Sequence, residues 1–151
     1  MRPVELSNDD MATQLDMLAG IDAWQIVKDT GIRGLAVRVQ WCSKAYETFT
    51  VRHERRNGTK TEYAKRVEAL LDDKRGWLFP HLTCQAYLAE SETLLAVAVV
   101  RTKDLYLWIA LQPKEWWNPI WNKDDSSSFQ PVKWDDLLRD NVRVEILRGP
   151  P

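Results

Sequence analysis

A basic segment of the sequence, residues 52 to 66, combines residue types that could bind phosphate groups. It holds six lysines or arginines against two glutamates. Cationic side chains neutralise phosphates, and threonine hydroxyls with helix N-terminal amides can add contacts that position DNA without reading its sequence. The alternative is a solvated basic surface with helical ion pairs such as Glu62 with Arg66. The predicted nucleic-acid-binding residues are Arg52, Arg55, Arg56, Lys60 and Lys65.

Three of the eight tryptophans, Trp116, Trp117 and Trp121, lie close together around Pro119. If these side chains are exposed, they could stack on unpaired bases or anchor a protein partner. If they are buried, they seal a core against an irregular segment of chain. The sequence pattern leaves both alternatives open.

Other site chemistries lack a matching motif. His53 and His81 stand alone without a serine or cysteine motif, so nucleophilic triad catalysis has no support. The sequence has no glycine-rich phosphate loop. Cys42 and Cys84 form no CxxC pair, which predicts free thiols rather than a zinc site. The net charge of −1 means that any nucleic-acid site must come from local clustering of charge.

The length of 151 residues predicts a single domain covering the whole chain, 1–151. The longest apolar run, Leu94 to Val100, is too short to cross a bilayer, and the N-terminus has no apolar signal core. We therefore expect a cytoplasmic protein with no membrane partner.

Hydrophobic periodicity predicts the elements that would position these residues. Met11, Leu15 and Leu18 indicate a helix over 9–19. Two strands over 21–28 and 35–41 then form a hairpin, and a third strand over 46–53 precedes the Asn57-Gly58 turn. A second helix, capped by Thr59 or Thr61, has an apolar stripe and closes at Gly76. The stripe consists of Tyr63, Val67, Leu70 and Leu71.

After residue 80, the sequence predicts definite elements for some segments and leaves the structure of others open. The apolar patterns predict strands over 82–89 and 94–100, with the second central in the sheet because its apolar run is unbroken. Residues 103–111 fit either a helix or a strand, and residues 112–131 are irregular. A helix over 134–139 and a strand over 142–147 complete the pattern.

The first ninety residues thus read helix, strand, strand, strand, helix, strand. Gly20-Ile21-Asp22 follows the first helix, and the alternating strand Val37-Arg38-Val39-Gln40 comes after a turn. This arrangement resembles the αβββαβ core of the PD-(D/E)XK, or restriction-endonuclease-like, superfamily. The resemblance implies an α/β fold whose mixed sheet forms a core over about 9–101, with an irregular tryptophan-rich extension over about 102–151. We expect the first three strands to form a meander covered by the second helix.

The resemblance also implies a site. In that superfamily an aspartate and a glutamate hold Mg²⁺, and a lysine orients or activates the attacking water. Asp22 matches the aspartate, whereas Arg38 and Gln40 occupy the positions of the acidic residue and the lysine. The implied catalytic residues are therefore Asp22, Arg38 and Gln40, and the implied Mg²⁺ ligands are Asp22 and Asp16, with Glu47 as another candidate. The alternative is that Asp22 only caps or pairs locally, for example with Arg38.

The function implied by this resemblance is that of a DNA-acting protein of bacterial or phage origin. One form of it is a weak Mg²⁺-dependent endonuclease. The other is a catalytically inactive relative that binds DNA, or that binds a protein partner through Trp116, Trp117 and Trp121.

Overall fold

The computed structural model describes residues 3–4, 23–27, 31–72 and 80–150. These residues form an α/β fold with a six-stranded mixed sheet, a three-stranded antiparallel sheet and three α-helices. The predicted α/β class is therefore confirmed. The helix predicted over 9–19 lies outside the described residues, as do Asp16 and Asp22.

The mixed sheet has the strand order β1-β2-β3-β5-β6-β9. The strands are β1 Pro3–Val4, β2 Ala23–Val27, β3 Gly31–Trp41, β5 Leu82–Leu88, β6 Leu94–Arg101 and β9 Val144–Arg148. The predicted hairpin is confirmed, because β2 and β3 pair in antiparallel fashion from Ala23 opposite Leu35 to Val27 opposite Gly31. β3 then runs parallel to β5, with Arg38 opposite Gln85. The predicted central position of β6 is also confirmed, since it lies between β5 and β9.

The second sheet has the order β4-β8-β7, from β4 Thr48–Arg55, β8 Ser127–Lys133 and β7 Ile120–Trp121. The predicted meander of the first three strands is wrong, because β4 pairs with β8 instead of β3. The alternation that buries Phe49 and Val51 shows which face of β4 is apolar, but it carries no information on the neighbouring strand. Pro131 of β8 lies opposite Thr50 of β4. Because proline has no N–H, it suits a strand position that donates no hydrogen bond to the neighbouring strand.

The helices are α1 Glu62–Leu71, α2 Thr102–Ala110 and α3 Trp134–Arg139. The predicted second helix is confirmed as α1, although it ends at Leu71, before the predicted Gly76. Tyr63, Val67 and Leu70 pack against the core as partly buried side chains, as the stripe predicts, but Leu71 at the end of the helix is 82% exposed and does not belong to it. The ambiguous segment after residue 102 is the helix α2, and the predicted third helix and last strand are confirmed as α3 and β9.

The C-terminal region, 102–150, contributes to both sheets. β8 pairs with β4 along most of its length in the small sheet, and β9 pairs with β6 at the edge of the mixed sheet. Between the two sheets, Trp134 of α3 is fully buried, with its ring centroid 5.9 Å from that of Phe49 and 5.8 Å from that of Tyr87. One core therefore joins strands from both halves of the chain. None of the helices in residues 31 to 72 and 80 to 150 combines the length and apolar character needed to cross a bilayer.

Thr61 caps α1 and allows a test of this helix. Its hydroxyl accepts a hydrogen bond from the Ala64 amide at 3.4 Å and donates one to the His53 carbonyl at 3.1 Å. Because the side chain is only 4% exposed, Thr61→Ala should lower the free energy of unfolding by about 1 to 2 kcal/mol. The exposed Thr59, the other predicted cap, provides the control, and Thr59→Ala should cost less than about 0.5 kcal/mol. Equal costs in urea denaturation would contradict the assigned cap.

Candidate functional site

A cavity of about 200 Å³ lies between β4 and the inner face of the mixed sheet. β4 is an edge strand of its sheet, and side chains of β5 reach its free edge: the Thr48 amide donates to the Tyr87 hydroxyl at 3.2 Å, and the Thr50 amide donates to Gln85 Oε1 at 3.4 Å. The cavity opens where this edge crosses β3 and β5. Its principal polar lining residues are Arg38, Arg52, Glu62, Arg66, Gln85 and Tyr106.

Three arginines from three different elements converge on this cavity, which we call the arginine pocket. Arg38 comes from β3, Arg52 from β4 and Arg66 from α1. The guanidinium carbons of Arg38 and Arg52 each lie 5.2 Å from the centroid of the Phe129 ring, so one aromatic side chain supports both cations. Arg66 is 5% exposed, and its Nη1 donates to the Tyr106 hydroxyl at 2.8 Å.

Among the described residues that line the arginine pocket, cations outnumber anions. Among the described residues that line it, Glu62 is the one carboxylate, and its Oε2 lies 3.3 Å from Arg38 Nη2. Guanidinium groups match phosphate and carboxylate oxygens through paired N–H donors. The arginine pocket is therefore suited to bind an anion.

Two buried donors in the arginine pocket have no acceptor within the described part of the chain. They are Arg52 Nε and Gln85 Nε2. The Gln85 side chain is 1% exposed, and its Oε1 accepts a hydrogen bond from the Thr50 amide. Its NH₂ group is therefore the part of the side chain without a described acceptor. A buried donor without an acceptor costs about 1–3 kcal/mol, which a ligand oxygen in the cavity would recover.

The protonation states of the arginine pocket favour anion binding across the physiological pH range. Burial, with repulsion from Arg38 and Arg55, lowers the pKa of the Arg52 guanidinium, but an arginine side chain does not lose its proton in proteins. Burial raises the pKa of the Tyr106 hydroxyl. Tyr106 therefore keeps its proton, and its oxygen accepts a hydrogen bond from Arg66.

The predicted nucleic-acid-binding residues divide between the arginine pocket and its surroundings. Arg52 lines the pocket, whereas Arg55 Nη1 donates to the Thr59 hydroxyl at 3.4 Å. Arg56 pairs with Asp125, and Lys60 Nζ lies 2.8 Å from Glu68 Oε2. Lys65 is half-buried on α1. The exposed pairs are weak enough to exchange for phosphate contacts, because exposed ion pairs contribute about 0–1 kcal/mol.

Of the residues implied as catalytic, Arg38 and Gln40 lie on β3, and Asp22 lies outside the described residues. Arg38 lines the arginine pocket, while Gln40, two residues along the same strand face, is exposed and lies outside the pocket lining. Glu47 accepts from Arg148 through both carboxylate oxygens, at 2.7 and 3.2 Å, and these hydrogen bonds lower the pKa of the Glu47 carboxyl.

The implied Mg²⁺ stays a prediction, because its implied ligands Asp16 and Asp22 lie outside the described residues. Mg²⁺ prefers several oxygen ligands, and the guanidinium of Arg38 on β3 repels a cation. Within residues 31–72 and 80–150, no three histidine, cysteine or acidic side chains stand close enough together to hold a metal ion.

Two of the three clustered tryptophans seal the core. Trp116 and Trp117 are partly buried and pack against the core, and their ring centroids lie 5.2 Å apart. The ring centroids of Trp116 and Trp108 lie 5.4 Å apart, and those of Trp117 and His53 lie 4.8 Å apart. Trp121 is 41% exposed, with the Arg56 guanidinium 5.6 Å from its ring centroid. Of these three, Trp121 is the side chain open to a partner.

Comparison with known proteins assigns no family to this chain. No family model matches it, and neither a curated protein nor a solved structure matches it. The functional argument therefore rests on the arginine pocket and its surroundings.

Four residues of the site were not predicted: Glu62, Arg66, Gln85 and Tyr106. Arg66 stands between Tyr63 and Leu70 at helical spacing, and a cation within an apolar stripe indicates a buried role. Gln85 alternates with Thr83 and Tyr87 on a strand, which places polar groups on one face of it. These two signals were available in the sequence, whereas the positions of Glu62 and Tyr106 depend on tertiary packing.

Proposed function

We propose that this chain binds DNA through its phosphates and that the arginine pocket is the principal contact. The observation that carries the proposal is the convergence of three guanidinium groups, with a single described carboxylate, on a cavity that also holds two buried donors without described acceptors. Guanidinium–phosphate contacts are among the strongest hydrogen bonds that side chains make.

The surroundings of the arginine pocket favour a nucleic acid over an isolated small anion. Basic residues continue from Arg52 along the end of β4 to Arg55 and Arg56, and then to Lys60 before α1. The exposed Trp121 beside Arg56 offers a face on which an unpaired base could stack. A strand of DNA could therefore contact the arginine pocket with one phosphate and the outer basic residues with others.

A restriction-endonuclease-like core is part of the same proposal. The β2–β3 hairpin, the position of α1 after β4 and the parallel pairing of β5 with β3 support it. The pairing of β4 with β8 departs from the expected meander. For this reason we propose DNA binding as the activity, and a cleavage assay tests separately for endonuclease activity.

The proposal is tested by the salt dependence of binding to a labelled single-stranded oligonucleotide. Each phosphate contact should add about 0.7 to the slope of the log affinity against the log salt concentration. Glu62→Gln removes the described carboxylate from the arginine pocket and should raise the affinity several-fold. Its cost in stability should be small, about 0.3–1 kcal/mol for an acidic residue lost from a first helical turn.

Glu54→Gln is the matched control, because it removes the same charge from an exposed side chain of β4 that does not line the arginine pocket. Its affinity should stay close to that of the wild type. If both variants bind equally well, the gain comes from bulk charge and the proposed contact is wrong. The absence of a salt-dependent slope would refute DNA binding altogether.

Hydrolysis is separated from binding in the same samples. Cleavage of the oligonucleotide with Mg²⁺ or Mn²⁺ that stops with a chelator and is absent in Asp22→Asn would add the endonuclease activity that the resemblance implies. Binding without cleavage corresponds to the catalytically inactive relative.

A further inference from the structure

We infer that the three-stranded sheet binds unpaired bases on its outer face and that the chain therefore prefers single-stranded DNA to a duplex. This inference rests on the proposed function and specifies the form of DNA that is bound. The outer face is the one opposite the buried side chains of Phe49 and Val51. Three properties lead to the inference: the residues of this face, its continuity with the arginine pocket, and the depth of the donors in that pocket.

One row of side chains crosses the outer face from strand to strand. Arg52 of β4 lies opposite Phe129 of β8, and Phe129 lies opposite Ile120 of β7. Residues directly opposite each other in antiparallel strands project from the same face. Ile120 is 61% exposed at the edge of the sheet, and Pro131 lies in the neighbouring row, opposite Thr50. The outer face therefore combines a cation with apolar side chains.

This combination of side chains suits unpaired bases. In a duplex, the face of each base is covered by the neighbouring base pairs, whereas a single strand exposes base faces that can pack on aromatic rings and on guanidinium planes. Phe129 supplies an aromatic ring, and Ile120 supplies an exposed apolar side chain beside it. Neither side chain can contribute a hydrogen bond to a phosphate, so their position next to Arg52 favours a ligand that brings bases together with its phosphates.

The outer face is continuous with the arginine pocket through two arginines. Arg38 and Arg52 both line the pocket, and the guanidinium carbon of each lies 5.2 Å from the centroid of the Phe129 ring. Neighbouring strands are about 4.8 Å apart, so Ile120 lies about 10 Å across the sheet from Arg52. A nucleotide whose phosphate contacts Arg52 can therefore place a neighbouring base on Phe129 and Ile120.

The depth of the donors in the arginine pocket favours a flexible strand. Arg52 Nε and Gln85 Nε2 are buried, and neither has an acceptor in the described part of the chain. A phosphate must enter the open cleft between β4 and the mixed sheet to reach them. Duplex DNA has a persistence length of about 150 base pairs, and this stiffness prevents it from inserting one phosphate while laying a base on the outer face. A single strand can do both, because it bends at each nucleotide.

The experiment compares a labelled single strand with a blunt duplex of the same sequence by fluorescence anisotropy. We expect the single strand to bind at least about tenfold tighter. Ile120→Thr keeps a β-branched side chain suited to a strand and should lower the affinity for the single strand several-fold. The affinity for the duplex and the slope of affinity against salt should stay the same, because a base contact releases no counterions. Ile120→Phe adds an aromatic ring and should raise the affinity for the single strand.

Leu147→Thr is the matched control, because it removes an apolar side chain that is 62% exposed from β9 of the mixed sheet. Its affinities should equal those of the wild type. The comparison of the two DNA forms uses the wild-type protein and does not depend on the folding of any variant. Equal affinity for the two forms, or Ile120 variants that change both affinities equally or neither, would overturn the inference while leaving the proposed DNA binding intact. If neither form of DNA binds, both the inference and the proposed function are wrong.

Discussion

Replacing Arg38 and Arg52 together with glutamine should lower the affinity for a single-stranded oligonucleotide by at least about 100-fold. Both guanidinium groups line the arginine pocket and lie over the same Phe129 ring. A hydrogen bond to a charged group contributes about 1.5–3 kcal/mol, and each 1.4 kcal/mol corresponds to a factor of ten in affinity. The slope of affinity against salt should also decrease, because fewer counterions are displaced.

This loss should not reflect unfolding. Burial and the repulsion from Arg38 and Arg55 lower the pKa of the Arg52 guanidinium, and the nearby Glu62 only partly offsets them. The Arg38–Glu62 pair is about one-third exposed on both sides and should contribute little to stability. The melting temperature without ligand should therefore change only slightly.

Arg143→Gln provides the control for these substitutions. The Arg143 side chain is 83% exposed, pairs with Glu145 and does not line the arginine pocket. The affinity of this variant should remain near that of the wild type. If the double variant binds the oligonucleotide as tightly as Arg143→Gln, the arginine pocket is not the contact site.

Trp134→Ala should lower the free energy of unfolding by about 3–5 kcal/mol. The indole is fully buried between Phe49 of the small sheet and Tyr87 of the mixed sheet. Truncation leaves a cavity at the junction of the two sheets, and neither sheet can move into it without disturbing its own hydrogen bonds. A loss of this size is a large fraction of the 5–15 kcal/mol that stabilises a typical domain.

Trp121→Ala is the matched control, since it removes the same side chain from the exposed strand β7. The cost should stay below about 1 kcal/mol, because only the contact with Arg56 and partial burial are lost. Chemical denaturation of both variants measures the difference directly. A cost for Trp134→Ala within 1 kcal/mol of that for Trp121→Ala would show that the two sheets do not share a core at Trp134.

The elements of the fold that depend on local pattern could be predicted from the sequence. The stripe of α1 and its Thr61 cap need only helical spacing and one hydroxyl, and the β2–β3 hairpin needs only two nearby strands and a turn. The partner of β4 could not be predicted in this way. Phe49 pairs opposite Val132, far along the chain, and the apolar alternation of either strand is compatible with many partners.

The candidate site was predictable in its residue types more than in its assembly. The sequence assigns Arg38 to an implied catalytic position and Arg52 to a phosphate contact. A meander would have placed their two strands side by side in one sheet. The edge of β4 instead lies over the inner face of β3 and β5, and this turns the two arginines toward one cavity. Arg66 is a cation within the apolar stripe of α1, and this is the clearest sequence signal of a buried site residue that the prediction did not include.

The nuclear magnetic resonance signal of the Arg52 Nε–H group tests the central claim most directly. This buried donor has no acceptor in the described part of the chain, and its resonance can be assigned from its disappearance in Arg52→Lys. On titration with a single-stranded oligonucleotide, the signal should shift and saturate, while that of the exposed Arg143 stays unchanged. Binding of the oligonucleotide without a shift of the Arg52 signal would contradict phosphate recognition by the arginine pocket.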